Sequence, residues 1–140
     1  MELITRQDLE KLNHHKQILF ACFCAEQVIH LVAEADKPVC LKAIQTAYLF
    51  LEDKATQEEC RVAAAANAAA YAAASAASAA SASTAYAADA AYAAYAAYAA
   101  AYAAPNKKDK AKLIEAQWAF YDQLLNGDKY FEEIVLEGVS

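Results

Sequence analysis

The alanine run between residues 63 and 104 constrains this chain more than any other feature of its sequence. Of these 42 residues, 29 are alanine, none is glycine or proline, and only Asp89 is charged. Alanine is the best helix former because it loses no side-chain entropy when the backbone becomes ordered. The run is therefore predicted to be helical.

The length of this helix determines how it is expected to fold. One helix from Gln57 to Ala104 would be about 72 Å long, whereas a compact chain of 140 residues is roughly 37 Å across. We therefore predict a helical hairpin over about 57–104, with a break between Ser81 and Thr84, where hydroxyl side chains can cap a helix. The predicted fold class is all-α: an antiparallel helical bundle of five to six helices in a single domain, 1–140, built around this Ala/Tyr-rich hairpin.

Tyrosines recur on one side of the second half of the run. At about 100° per residue, the four side chains fall within roughly 120° of one another; they are Tyr92, Tyr95, Tyr98 and Tyr102. Helically spaced aromatic residues usually belong to a core, so we favour a buried seam whose hydroxyl groups reach solvent. The alternative is an exposed aromatic face that binds another protein, and these four tyrosines are our candidate partner-binding residues.

Three segments predict where helices begin. Thr5–Asp8 places a capping residue before an acidic first turn. Asp36–Pro38 combines an expected aspartate cap with a proline at the first helical position, where its missing N–H costs nothing. Thr56–Glu59 matches a capping box, in which threonine and glutamate bond each other's backbone, and it fixes where the alanine run begins. Pro105 is expected to end that run.

The segment Ile18–Ala25 is apolar on every face, which predicts the centre of the core. Glu26 and His30 follow it with a spacing that would let them pair on a helix. An acid beside a histidine could serve acid–base catalysis, with Asp89 as a third group. The chain supplies no evident nucleophile or cofactor loop, so we interpret the pair as structural and expect no catalytic residues and no cofactor.

Cysteine and histidine spacing gives no prediction of a metal site. The four cysteines match neither zinc spacing nor a redox motif, and they are interpreted as buried, reduced thiols; they are Cys22, Cys24, Cys40 and Cys60. His14 and His15 are adjacent and therefore point in different directions on a helix. We expect no metal, and a cytoplasmic location in which thiols stay reduced.

Net charge limits the partners that the chain is expected to have. The formal charge is −6, which argues against binding to a phosphate backbone. Four lysines follow the alanine run and are interpreted as the solvated start of the next helix; they are Lys107, Lys108, Lys110 and Lys112. Residues 62–88 carry no charge but contain one strongly membrane-favouring side chain, Val62, so no membrane insertion is expected.

The C-terminal segment offers an acidic surface. Its carboxylates are candidates for an electrostatic contact with a protein partner; they are Asp128, Glu132, Glu133 and Glu137. A solvated helix face explains the same pattern, and both interpretations stay open.

Three stretches together resemble the alanine-rich, all-helical immunity proteins of bacterial polymorphic-toxin systems. They are Ala21–Val28, similar to that family's Cys-Ala-Glu-Arg-Val helix; Pro38–Lys54, similar to its Pro-x-x-Ala-Ile segment; and Glu58–Arg61, which leads into the Ala/Tyr tract. Three positions differ, with Gln27 where arginine is usual, Phe50 where tryptophan is usual and Asp53 where glycine is usual. The resemblance implies a non-enzymatic inhibitor that binds and neutralises a toxin.

Other functions fit the same scaffold. The partner could be a host defence nuclease, with the chain acting as a phage or mobile-element inhibitor, or the protein could be a purely structural Ala-rich scaffold. An exposed Tyr/Ala face would also favour a homodimer. The sequence therefore predicts a protein partner, a cognate toxin or a defence effector, without choosing among them.

Overall fold

The computed structural model describes residues 2–63 and 90–126, and within these ranges the fold is all-α, with no strand. The helices are α1 (Arg6–Leu9), α2 (His14–Val28), α3 (Lys37–Leu51), α4 (the helical residues 57–63), α5 (Ala90–Ala103) and α6 (Lys107–Leu125). A short 3-10 turn, Ile29–Leu31, follows α2. This confirms the all-α part of the predicted fold class, whereas the antiparallel bundle arrangement and the single domain stay predictions.

Helix α2 lies at the centre of the described part of the fold. It packs against α3, α5 and α6, and its apolar segment carries the side chains that these helices bury. Ile18 is 1% exposed and Phe20 is fully buried. The prediction that Ile18–Ala25 forms the core is confirmed, although Leu19 and Phe23 are only partly buried.

Helix α5 buries its alanines and exposes its tyrosines. Its alanine face packs against α2, α1 and α6, with seven buried residues: Ala90, Ala93, Ala96, Ala97, Ala99, Ala100 and Ala101. Because a methyl side chain projects little from the backbone, such a face suits the short end of the usual ~8–10 Å interhelical spacing. The preferred interpretation of the tyrosines as a buried seam was wrong, since alanine alone fills the side that meets the neighbouring helices.

The capping box predicted at Thr56 is confirmed, and the cap predicted at Thr5 also forms a capping box. The Thr5 hydroxyl accepts from the Asp8 N–H at 3.3 Å, and the Asp8 carboxylate accepts from the Thr5 N–H at 3.0 Å. The Thr56 hydroxyl accepts from the Glu59 N–H at 3.1 Å, and Glu59 accepts from the Thr56 N–H at 3.2 Å. Each box satisfies N–H groups that have no partner inside the helix. These local signals therefore place the starts of α1 and α4 correctly.

The start of α3 differs from its prediction. Asp36 has helical backbone angles and its side chain makes no capping hydrogen bond, and Pro38 is the second helical residue rather than the first. Capping by a side chain requires an extended backbone at the capping residue, which Asp36 lacks because the preceding turn continues directly into the helix. Pro38 still occupies the first turn, where its missing N–H removes no internal bond.

The end of α3 is a Schellman motif built on an aspartate. Asp53 has φ of 59°, in the left-handed region. The Lys54 N–H donates to the Leu49 carbonyl at 2.8 Å, and the Asp53 N–H donates to the Phe50 carbonyl at 3.1 Å. These are the two bonds that define the motif. Glycine is favoured at this position, so Asp53 carries backbone strain. This is also the position where glycine is usual in the immunity-protein family that the sequence resembles.

The N-terminal segment is attached to α6. The Trp118 indole N–H donates to the Glu2 carbonyl at 2.7 Å, and the Tyr121 hydroxyl donates to the Asp8 carbonyl at 2.7 Å. Asn13 caps α2 by accepting from the Lys16 N–H at 2.9 Å. Asn106 caps α6 in the same way, accepting from the Asp109 N–H at 2.8 Å just after Pro105, where α5 was predicted to end.

Two predictions fall outside the described residues. They are the hairpin break between Ser81 and Thr84 and the acidic C-terminal candidates (Asp128, Glu132, Glu133 and Glu137). Within the described ranges, no helix is long and apolar enough to cross a membrane.

Candidate functional site: an exposed tyrosine surface

The four tyrosines of α5 are exposed in a strip along one side of the helix, which we call the tyrosine surface. Tyr92 is 43% exposed, Tyr95 50%, Tyr98 48% and Tyr102 52%. From the first to the last, the strip extends about 15 Å along the helix, at ~1.5 Å per residue. About half of each of these large aromatic residues therefore faces solvent, in contrast with the seven buried alanines of the same helix.

The exposed area has the size of a binding patch. A tyrosine buries about 150–250 Å² when it is fully enclosed, so four half-exposed rings present roughly 400 Å² to solvent. Apolar patches of about 300–600 Å² are the largest that a typical monomer shows, and they are often functional. A stable interface takes about 800 Å² from each partner, so the tyrosine surface supplies about half of one side.

Helix α6 begins beside the C-terminal end of this surface with four lysines, the lysine cluster; they are Lys107, Lys108, Lys110 and Lys112. The Lys110 ammonium group lies 3.8 Å from the centre of the Tyr102 ring, within range of a cation–π interaction. The Tyr102 ring in turn lies 4.4 Å from that of Tyr98, tilted by 33°. Lys110 therefore joins the start of α6 to the C-terminal end of the tyrosine surface. At about 100° per residue, Lys108 and Lys112 lie on the opposite side of α6.

The predicted pairing of Glu26 with His30 is wrong. Helix α2 ends at Val28, so His30 lies in the following 3-10 turn and the helical spacing does not apply. The Glu26 carboxylate instead accepts a hydrogen bond from the Tyr48 hydroxyl at 2.5 Å. Burial, together with this bond to a carboxylate, raises the pKa of Tyr48, so its hydroxyl stays protonated and serves as a donor that joins α3 to α2. Asp89, the third group of the enzymatic hypothesis, lies outside the described residues.

Two hydrogen-bonded glutamines, of which Gln117 is fully buried and Gln27 partly buried, were not among the predicted site residues. Gln117 is fully buried, and its amide donates to the Gln27 side chain at 3.1 Å and to the Ala97 carbonyl at 3.2 Å. Gln27 donates to the Leu113 carbonyl at 3.2 Å. The sequence feature that could have revealed Gln117 is its position on the apolar stripe of α6, between Ile114 and Tyr121. This pair links α2, α5 and α6, and so it holds the helix that carries the tyrosine surface.

The four cysteines are buried thiols that form no disulfide, as predicted; they are Cys22, Cys24, Cys40 and Cys60. Burial, and secondarily the neighbouring Cys22, raises the pKa of Cys24 well above that of an ordinary thiol. The Cys60 thiol donates to the Thr46 carbonyl at 3.8 Å. A thiol kept protonated in this way is a poor nucleophile and a poor metal ligand. In the described ranges, no three His, Cys, Asp or Glu side chains are grouped closely enough to hold a metal ion.

A concave feature lies between α3 and α4. It is an open cavity of about 550 Å³ lined mainly by apolar atoms; its lining residues are Pro38, Val39, Lys42, Thr46, Glu58, Glu59, Val62 and Ala63. Its volume falls in the range of small-molecule sites. Its α4 wall ends where the described residues end, and its charged side chains have both signs, so it indicates no particular ligand.

The chain was compared with family models, with characterised proteins and with solved structures, and none of them matched.

Proposed function

We propose that this protein is a non-enzymatic inhibitor of the immunity class, which binds a bacterial toxin in the cytoplasm and neutralises it. The observation that carries the proposal is the tyrosine surface: four neighbouring aromatic rings left half in solvent on a helix whose other face is tightly packed. Tyrosine is among the residues most enriched at the energetic centres of protein interfaces.

The way in which the tyrosines are held supports binding. They project from a helix that is fixed on α1, α2 and α6, so little backbone order has to be gained when a partner docks. A tyrosine side chain has two rotatable bonds, which keeps its entropy cost low for the area that it covers. The resemblance to immunity proteins agrees with such a rigid, preorganised binding block.

Co-expression with the toxin encoded beside the gene tests this proposal. Growth should be restored by the wild-type protein and lost with the Tyr95→Ala/Tyr98→Ala double variant, and purified toxin should be retained by the wild type alone. The matched control is Leu41→Ala/Leu49→Ala, which removes two exposed apolar side chains from α3 (46% and 41% exposed). This control should protect as well as the wild type.

Two results would contradict the proposal. The first is persistent toxicity with no complex between the wild-type protein and the toxin. The second is full protection by the tyrosine double variant, which would show that the toxin binds another surface. Far-UV circular dichroism of each variant separates a lost contact from a lost fold.

A further inference from the structure

One ring of the tyrosine surface already holds a cation. The Lys110 ammonium group lies 3.8 Å from the centre of the Tyr102 ring. The face of an aromatic ring carries partial negative charge, so it attracts an ammonium or guanidinium group placed within about 6 Å of its centre. The contact with Lys110 therefore identifies a chemistry that the ring faces of this surface accept.

The neighbouring tyrosines offer the same chemistry to a partner. Tyr95 is 50% exposed and Tyr98 is 48% exposed, and the centre of the Tyr98 ring lies 4.4 Å from that of Tyr102. Residues 90–103 contain no charged side chain. Helix α5 itself therefore supplies neither a cation for these rings nor a carboxylate that would draw a cation away from them.

From this chemistry we propose that the partner's contact segment is a basic stretch of protein whose arginines stack on the rings of Tyr95 and Tyr98. Arginine suits these rings better than lysine, because its planar guanidinium group lies flat on an aromatic face and is less strongly hydrated than an ammonium group. This contact rests on the proposed binding function and adds the chemistry of the partner to it.

The charge of the chain agrees with a basic partner. A net charge of −6 attracts a cationic segment before contact and raises its rate of association. An acidic segment or a nucleic-acid strand has the same sign of charge as the chain and lacks this attraction. Charge complementarity therefore favours a basic segment over either of these.

The lysine cluster determines which rings the arginines occupy. Lys108 and Lys112 lie on the side of α6 opposite Lys110, and Lys110 itself lies on Tyr102. Repulsion between like charges falls with distance, and Tyr95 lies about 10 Å before Tyr102 along α5, at ~1.5 Å per residue. The partner's arginines are therefore placed on Tyr95 and Tyr98, while Tyr102 keeps its own cation.

Fluorescence anisotropy with three labelled peptides tests this contact. The peptides share one sequence, with arginine at its polar positions in the first, uncharged citrulline in the second and glutamate in the third. Each cation–π contact at an exposed site raises affinity by a factor of about two to five. The wild type should therefore bind the arginine peptide about four- to 25-fold more tightly than the citrulline peptide, and the glutamate peptide most weakly. Raising the salt from about 50 mM to about 200 mM should weaken the binding of the arginine peptide.

Two double variants separate the aromatic rings from apolar area in general. Tyr95→Leu/Tyr98→Leu keeps apolar side chains and removes the rings, so it should lose the preference for arginine over citrulline. Tyr95→Phe/Tyr98→Phe keeps the rings and should keep that preference. Far-UV circular dichroism of both variants shows whether the helices are intact.

Lys110→Gln distinguishes a basic partner from an apolar one. It removes the nearest repelling charge and exposes the Tyr102 ring to the partner's cations, so affinity for the arginine peptide should rise at least about twofold. An uncharged apolar segment would gain nothing from this change. The matched control is Lys112→Gln, which makes the same charge change on the opposite side of α6 and should have the smaller effect.

Equal binding of the arginine and citrulline peptides, tighter binding of the glutamate peptide, or no gain in affinity in Lys110→Gln would overturn the proposal. An arginine preference that persists in the leucine double variant, or failure of the wild type to bind the arginine peptide, would do the same. These outcomes are separate from those of the proposed function. A toxin that is lost with Tyr95→Ala/Tyr98→Ala but retained equally by the leucine and phenylalanine variants would leave the inhibitor role intact and remove the arginine contact.

Discussion

Enlarging a buried alanine of α5 should destabilise the protein, whereas truncating a tyrosine of the same helix should have little effect. Ala93 is fully buried against the core. Leucine in its place adds three carbon atoms, which would stabilise by about 2.4 kcal/mol if there were room, at ~0.8 kcal/mol per buried methylene. In a closely packed interface, the same change forces the helices apart and costs typically about 1–3 kcal/mol. The sign of the change in the free energy of unfolding therefore shows whether the helices are closely packed at Ala93.

Tyr95→Ala should lower the free energy of unfolding only slightly. Complete burial of a large side chain stabilises by about 1.5–3 kcal/mol. Because Tyr95 is 50% exposed, its buried half contributes about 1 kcal/mol. Alanine recovers up to about 0.7 kcal/mol through its higher helix propensity. The net loss should therefore be below about 1 kcal/mol, against the 3–5 kcal/mol that is typical when an aromatic side chain is removed from a core.

Urea denaturation followed by far-UV circular dichroism measures both changes under one set of conditions. The expected order of free energies of unfolding is wild type, then Tyr95→Ala close to it, then Ala93→Leu clearly lower. Ala93→Leu as stable as the wild type, together with a loss above about 3 kcal/mol in Tyr95→Ala, would refute the orientation of α5 on which the site depends.

Four other predictions follow from the structure. Asp53→Gly should stabilise the protein by about 0.5–1 kcal/mol, raising its thermal midpoint, because glycine adopts the left-handed φ of 59° without strain. Thr56→Ala should cost about 1 kcal/mol in the same assay through loss of the capping box, and Thr56→Ser should restore it. Gln117→Leu should cost about 1–3 kcal/mol in urea because the Ala97 carbonyl and the Gln27 side chain lose a buried donor. The free energy of unfolding should fall as the pH rises above about 10, the ordinary tyrosine pKa, because the folded protein raises the pKa of Tyr48 and stabilises its neutral form. Tyr48→Phe should remove that part of the alkaline loss of stability. An unchanged dependence of stability on pH in this variant would contradict the prediction.

Local signals made much of the fold predictable. The capping boxes at Thr5 and Thr56 depend on side chains three residues apart, so the sequence contains all the information that they need. Asp36 failed as a cap because its backbone conformation is set by the turn before it. The pairing of Glu26 with His30 failed for a related reason, since it assumed that α2 continues beyond Val28.

The orientation of α5 could not be predicted from periodicity. Its alanines and tyrosines are both compatible with burial, and the sequence pattern separates the two faces without saying which one meets α2. Close approach of helices selects the small side chains for the inside. The pairing of Gln27 with Gln117 is likewise non-local, because it joins residues 90 positions apart in the chain. The candidate tyrosines were thus correctly grouped by the sequence, and their exposure came from tertiary packing.

Hydroxyl-radical footprinting with mass spectrometry, on the free protein and on its complex with a toxin of the proposed kind, tests whether the tyrosine surface is exposed and binds a partner. Tyr95 and Tyr98 should be readily oxidised in the free protein and protected in the complex, while Leu41 and Leu49 on α3 should be modified equally in both. Tyrosines of α5 that resist oxidation in the free protein, or that react equally in the complex, would contradict this expectation.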